Sequence, residues 1–167
     1  AHPRATLSFS RHLAPLENLP AHVDAAIRYN PADYAAAIDD NRMEEWPSFF
    51  TEACFYRITT ANNHAQGLPA GLVYADSRQM LADRVLSLRK ANIYERQAYR
   101  HIIGLPRITA DEGGVLQVRT SFVALRIMRT GETDIFATGV YLDEVVREGD
   151  ALKLRRRDVI CDSQRID

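Results

Sequence analysis

Apolar and polar residues alternate along the second half of the chain with the period of two that is typical of β-strands. The alternation predicts three long strands, which read "VLQVRTSFVALRIM", "DIFATGVYLDEVV" and "ALKLRRRDVIC". The short stretches "RTGET" and "REGD" between them carry the glycines and polar residues of tight turns. Together with the earlier stretch "YRHIIGLPRIT", this pattern predicts an antiparallel meander.

The first half of the chain carries helical signals instead. Asn30 is a good N-cap and Pro31 suits the first helical position, so a helix is predicted to begin there. The polar residues 39–41 predict a break in it. Pro47 biases Trp46 away from helical geometry, so the helical region is predicted to end near Trp46. The aromatic and β-branched stretch "CFYRITT" then predicts a strand.

A second helix is predicted over "DSRQMLADRVLSLRKANIY", with Asp76 or Ser77 as its cap. Its predicted buried stripe consists of Met80, Leu81, Val85 and Leu88. Helices that precede a run of long strands predict an α+β domain, in which the helices pack on one face of a strongly curved, mainly antiparallel sheet.

The length of 167 residues is enough for one domain with its own core. We expect a single domain over residues 23–167, preceded by an N-terminal arm of residues 1–22, because no Gly/Ser linker and no internal repeat divides the chain. The arm lacks the apolar stretch of a signal peptide, and no apolar run reaches membrane-spanning length. We therefore expect no contact with a membrane.

The charges are evenly distributed and give a formal net charge of −1. The only basic run, Arg155-Arg156-Arg157, lies inside a predicted strand, so binding of nucleic acid is not expected. Cys54 and Cys161 are far apart in the sequence and suggest no disulfide framework. This use of cysteine fits the reducing cytoplasm.

One short stretch, "MEEWPSFFTEACFYRIT", concentrates aromatic residues. Its five rings cannot all point inward, because strand neighbours face opposite sides of a sheet. We therefore predict that Trp46, Phe49 and Phe50 offer apolar surface to another chain. The alternative is that the rings close the open end of the domain's own core.

Several stretches together resemble a known family, the small (β) subunits of Rieske-type aromatic-ring-hydroxylating dioxygenases. The resemblance covers residues 36–163 and is carried by "AIDDNRMEEWPSFFTEACFYRIT", "GLVYADSRQMLADRV", "NIYERQAYRHIIGLPRI", "LRIMRTGETDIFATGVYLD" and "VICDS". It does not extend to the predicted arm.

The resemblance implies a cone-shaped fold, similar to nuclear transport factor two and scytalone dehydratase. It also implies a complex of three large (α) and three small subunits, built around a homotrimer of the small subunit. In this complex the large subunit holds the Rieske 2Fe–2S cluster and a mononuclear iron. The small subunit is then a non-catalytic part that supports assembly of the enzyme.

The sequence agrees with the expectation that this chain holds no metal or cofactor. A Rieske cluster needs closely spaced Cys and His pairs, and neither Cys54 nor Cys161 is followed by a nearby histidine. A mononuclear iron site needs two histidines and a carboxylate. Outside the arm, the only histidines are His64 and His101.

The alternative functions are an unrelated adaptor, a small-molecule binding module, and a stand-alone dehydratase or isomerase of the same cone fold. Asp39, Tyr56 and His101 are the candidate residues for its acid–base chemistry. A histidine exchanges protons near neutral pH, and a carboxylate can orient its ring.

Arginines of the long strands are the second group of predicted interface residues, namely Arg126, Arg129, Arg155 and Arg157. We predict that they pair across subunits with carboxylates such as Asp134, Asp143, Asp158 and Asp162.

Overall fold

The structure is a computed structural model that describes residues 29–69, 71–90 and 97–163. Its helices are α1 (Pro31–Asp39), a 3₁₀ helix (Met43–Phe49), α2 (Ala61–Ala65) and α3 (Arg78–Lys90). Its strands are β1 (Phe50–Thr60), β2 (Val73–Ala75), β3 (Gln97–Ile103), β4 (Arg107–Glu112), β5 (Val115–Met128), β6 (Thr133–Glu148) and β7 (Ala151–Cys161). The predicted arm lies outside the described residues. No helix of the described ranges is long and apolar enough to cross a membrane.

The strands form one sheet in the order β2-β1-β7-β6-β5-β3, and β4 also pairs with β5. The predicted meander is confirmed, since β5, β6 and β7 are consecutive antiparallel neighbours. The strand β1 is parallel to β7, a long-range pairing that the sequence pattern does not reveal. Register shifts beside Ala124 and Glu144 mark bulges, which bend the strands and curve the sheet.

The first helix begins as predicted, because the Asn30 side chain accepts a hydrogen bond of 3.1 Å from the backbone N–H of Ala32. It ends at Asp39, and Asn41 adopts a positive φ of 60° that stops further helical bonding. Arg89 of α3 holds this corner through 2.6 Å and 2.8 Å hydrogen bonds to the Asn41 side-chain and backbone oxygens.

The helical region does not stop at Trp46, as Pro47 had suggested. The 3₁₀ helix continues through Pro47 to Phe49. Proline removes only one donor from this short helix, and both Trp46 and Pro47 are buried in the core. Burial of the indole and the proline ring therefore outweighs the local preference of the residue before a proline.

The buried stripe of α3 is narrower than predicted. Leu81 and Val85 are buried, but Met80 and Leu88 are exposed. Ser77 caps the helix, since its hydroxyl accepts a hydrogen bond from the N–H of Met80. One turn after Val85, the same face of α3 carries Arg89 instead of an apolar residue. Its side chain binds the corner after α1.

An aromatic cluster forms the centre of the core. The rings of Trp46, Phe50 and Tyr56 meet edge to face, with centroids 5.1 to 6.0 Å apart. The strand β1 begins at Phe50, four residues earlier than predicted. Phe50 is fully buried, and its ring is part of the core. Most of the aromatic stretch is thus used inside the chain.

Candidate functional site

A cavity of about 340 Å³ lies between α1 and the inner face of the sheet. Side chains from α1 and from six of the strands, all except β4, line it. Six aromatic rings make up much of the wall: Tyr34, Tyr56, Tyr99, Phe122, Phe136 and Tyr141. Small residues at Ala124 and Ala137 leave the space open between these rings.

A histidine–aspartate pair stands at the edge of this cavity. The Nδ1 atom of His101 is 2.6 Å from Oδ1 of Asp39, and the backbone N–H of His101 donates to Oδ2 at 2.8 Å. Only 4% of the Asp39 side chain and 13% of the His101 side chain are exposed. Asp39 at the end of α1 therefore holds the imidazole ring of this β3 residue in one orientation.

The hydrogen bond to Asp39 decides which nitrogen of His101 carries the proton. A carboxylate can only accept, so Nδ1 donates, and Nε2 is an acceptor whenever the ring is neutral. Because His101 lines the cavity, Nε2 is the nitrogen left for contact with its contents.

Three phenols of the cavity, those of Tyr56, Tyr99 and Tyr141, stay neutral at ordinary pH. Burial raises the pKa of Tyr56 well above its usual value, and the neighbouring Tyr34 raises it further. Burial likewise raises the pKa of Tyr141 and of Tyr99. The Cys161 thiol, which also lines the cavity, has its pKa raised by burial to about 11. These groups can donate hydrogen bonds but are poor bases and nucleophiles.

The structure thus brings together the residues of the acid–base hypothesis. Asp39 contacts His101 directly, and Tyr56 shares the cavity wall with His101. The hydroxyl of Tyr56 is engaged with Tyr34 and Nδ1 of His101 with Asp39, so Nε2 of His101 is the ring nitrogen that no described hydrogen bond occupies.

Arg157, a predicted interface residue, is instead fully buried inside the chain. Its guanidinium makes two hydrogen bonds of 2.8 Å to Asp143, and it lies 4.1 Å and 4.2 Å from the ring centroids of Tyr34 and Tyr141. The Tyr29 hydroxyl donates to Asp143 at 2.6 Å and accepts from Arg157 at 2.9 Å. This arginine therefore supports the core and has no surface to offer to another subunit.

The other predicted carboxylate partners also bond within the chain. Asp134 pairs with Arg126 at 2.9 Å, and Asp158 pairs with Arg57 and Arg156 at 2.6 Å each. Strand register explains the intramolecular pairing, since Arg126 lies directly opposite Asp134. In the same way Arg157 lies opposite Asp143. The fourth carboxylate, Asp162, accepts a hydrogen bond from the Thr138 hydroxyl.

The predicted contact surface is therefore smaller. Trp46 and Phe50 are not part of this surface, because their rings are buried in the chain's own core. Phe49 is half-buried and Arg129 is exposed. Arg155 is exposed while it pairs with Glu144 at 2.8 Å. These last three residues remain candidates for contact with another subunit.

Sequence reasoning missed an apolar surface on the other side of the sheet. Ile102 lies opposite Val123, and Leu125 lies opposite Ile135, so their side chains share the face that points away from the cavity. Ile102 is 58% exposed and Ile135 is 68% exposed. We call Ile102, Val123, Leu125 and Ile135 the outer-face patch. Its signal in the sequence is the run "SFVALRIM", which is apolar at both alternating sets of positions.

The described residues contain no group of three or more His, Cys, Asp and Glu side chains that could hold a metal ion. His64 lies in α2 and His101 is engaged with Asp39. Neither histidine is part of a set of converging ligands in the described ranges.

Comparison with known proteins identifies the family. Residues 34–167 match the family described as "Ring hydroxylating beta subunit", and the chain belongs to this family. It is 52% identical over 132 residues to terephthalate 1,2-dioxygenase, terminal oxygenase component subunit beta 1, from Comamonas sp. That alignment covers 79% of this chain and 86% of the relative.

Solved structures confirm the α+β cone fold. The chain is similar to the β subunit of a proposed aromatic-ring-hydroxylating dioxygenase from Novosphingobium aromaticivorans, with a TM-score of 0.76 and 38% identity over 87% of this chain and 90% of that one. A proposed scytalone dehydratase from the same organism has a TM-score of 0.60 at 20% identity, covering 84% of this chain and 82% of that one. The latter likeness concerns the fold alone.

Proposed function

We propose that the chain is the non-catalytic small subunit of an aromatic-ring-hydroxylating dioxygenase acting on an aromatic carboxylate such as terephthalate. The 52% identity to a terephthalate dioxygenase β subunit supports this assignment. The stretches "NIYERQAYRHIIGLP" and "LRIMRTGETDIFATGVYLD" already resemble those subunits. The oxidation of the substrate then takes place in a complex in the cytoplasm.

The partner in this proposal is a large (α) subunit that carries the Rieske 2Fe–2S cluster and the mononuclear iron. Three large and three small subunits form the complex, with a homotrimer of this chain as its core. The small subunit holds the large subunits in position, and its own described residues supply no converging set of metal ligands.

The outer-face patch is the observation that best supports a role in assembly. Helix α1 packs over the inner face of the sheet, while Ile102 and Ile135 leave apolar surface exposed on the outer face. Contiguous apolar surface on a folded chain usually marks a contact with another chain. We propose that a neighbouring subunit of the complex covers this patch.

Placing two carboxylates in the patch tests this contact. The double variant Ile102→Asp/Ile135→Asp is expected to fold, since both positions are exposed in the chain, but to lose assembly. Because an unpaired charge is costly to bury, the apparent dissociation constant should rise by more than about a hundredfold. Light scattering coupled to size-exclusion chromatography, with the large subunit present and absent, measures the loss.

The matched control is Leu86→Asp, which places a carboxylate at an exposed apolar position on α3, away from the patch. It should assemble like the unaltered chain. Normal assembly of the double variant would contradict the proposed role of the outer-face patch.

Acid–base catalysis by this chain is a second candidate function, favoured by the contact between Asp39 and His101 beside a cavity. If the chain is only structural, a complex with His101→Gln should keep its assembly, its iron content and its rate of substrate turnover. Loss of turnover by more than about a hundredfold, with assembly and iron intact, would show that His101 takes part in the chemistry.

A further inference from the structure

We infer that the cavity between α1 and the sheet is a binding site for an uncharged hydroxylated aromatic molecule of one or two rings, whose hydroxyl group donates a hydrogen bond to Nε2 of His101. Its existence does not depend on assembly of the proposed complex.

The size and the walls of the cavity determine the class of molecule. A dry cavity of about 150 Å³ is enough to bind benzene. The cavity here has about 340 Å³, enough for a substituted ring or a pair of fused rings. Phe122 and Tyr141 stack with centroids 4.5 Å apart and an interplanar angle of 9°, and they provide a flat apolar wall. A planar aromatic guest would contact such a wall over its whole face.

His101 determines which polar group the bound molecule must carry. Asp39 accepts from both the ring Nδ1 and the backbone N–H of His101, so the ring, when it is neutral, offers an acceptor and no donor to the cavity. A guest must therefore donate a hydrogen bond, as a phenolic hydroxyl does. A guest without a donor leaves Nε2 unsatisfied in a largely apolar space, which weakens binding.

The charges among the described residues around the cavity disfavour the binding of a carboxylate. No lysine or arginine is among its described lining residues, and the charged group behind His101 is the Asp39 carboxylate. Two arginines stack on rings of the wall, but Arg157 is paired with Asp143 and Arg126 with Asp134. An anion would lose its hydration without gaining a countercharge. The site therefore selects a different class of aromatic compound from the carboxylates of the proposed dioxygenase reaction.

Fluorine NMR on the full chain can test this selectivity with three probes of the same ring size. We expect saturable binding of 4-fluorophenol at millimolar or lower concentration. Fluorobenzene, which lacks the hydroxyl, should bind about tenfold more weakly. The anion 4-fluorobenzoate should not bind. This comparison needs no variant, so it is independent of any effect of substitution on folding.

A substitution that fills the cavity tests whether the molecule binds there. Ala124→Leu adds a side chain on the cavity side of β5, and binding of 4-fluorophenol should fall by more than about tenfold. Ser121→Leu places a leucine at an exposed position on the opposite face of the same strand and should leave binding unchanged. Circular dichroism of both variants verifies that they are folded.

Three results would overturn the inference. The first is no saturable binding of 4-fluorophenol up to its solubility limit. The second is equal binding of fluorobenzene or 4-fluorobenzoate. The third is unchanged binding by a folded Ala124→Leu variant. An assembly defect in the outer-face variants would affect none of these measurements, so failure of the proposed function and failure of this inference can be told apart.

Discussion

Replacing Arg157 with methionine is expected to lower the free energy of unfolding by about 3–5 kcal/mol, because it leaves the buried carboxylate of Asp143 without its countercharge. Both side chains have 0% exposure, so water cannot replace the lost interaction. The Tyr29 hydroxyl would remain as a single donor to Asp143. Chemical denaturation with urea measures the change.

The neighbouring residue Arg155 provides a matched control for this experiment. Its pair with Glu144 has 47% exposure on the arginine side, and exposed ion pairs contribute about 0–1 kcal/mol. Arg155→Met should therefore have a small effect on the free energy of unfolding. The double variant Arg157→Met/Asp143→Leu should recover much of the lost stability, since it removes the stranded charge. A loss below about 1 kcal/mol in Arg157→Met would contradict the structural role of this pair.

The second large effect is expected for Phe50→Ala, which should cost about 3–5 kcal/mol of unfolding free energy. Phe50 is fully buried, and its ring meets Trp46, Tyr56 and Tyr34 edge to face at 5.8 to 6.2 Å. Removing it leaves a cavity at the centre of the aromatic cluster. Urea denaturation of the isolated chain measures this loss without any partner present.

Phe49 is the control, one residue earlier in the sequence. It is half-buried and meets Tyr34 at 5.8 Å, so Phe49→Ala should cost only about 1 kcal/mol in the isolated chain. A weakened contact with another subunit in Phe49→Ala would show that the predicted contact surface survives at this residue. Equal costs for Phe49→Ala and Phe50→Ala would mean that the two rings are not divided between core and surface.

Local signals in the sequence were sufficient to predict most of the elements. The limits of β5 and β7 match the predicted stretches, because long alternation and glycine-containing turns specify strands locally. The start of α1 was predictable for a similar reason, since Asn30 and Pro31 act on the first helical turn alone. The end of the 3₁₀ helix was not predictable, because burial of Trp46 and Pro47 depends on residues distant in the sequence.

The carboxylate partners of the arginines could not be predicted for the same reason. The sequence shows arginines and carboxylates on successive strands, and this pattern fits pairs within a chain as well as pairs between chains. Register decides between the two, since Asp143 lies opposite Arg157 and Asp134 lies opposite Arg126. A shift by one residue would have turned these side chains to opposite faces of the sheet.

The candidate cavity shows the same division. Asp39 and His101 could be selected from the sequence because their chemistry suits proton transfer, but they are 62 residues apart and belong to different elements. Only the packing of α1 against β3 brings them into contact and turns the imidazole toward the cavity. The outer-face patch likewise exists only once β3, β5 and β6 lie side by side.

The sequence by itself therefore determined the α+β class, the meander and the family, because periodicity, caps and motif stretches act over short distances along the chain. The tertiary structure decided which aromatic rings are buried, which charges pair and which polar groups face the cavity. Those outcomes depend on long-range register and on helix packing, and a one-dimensional pattern does not specify either of them.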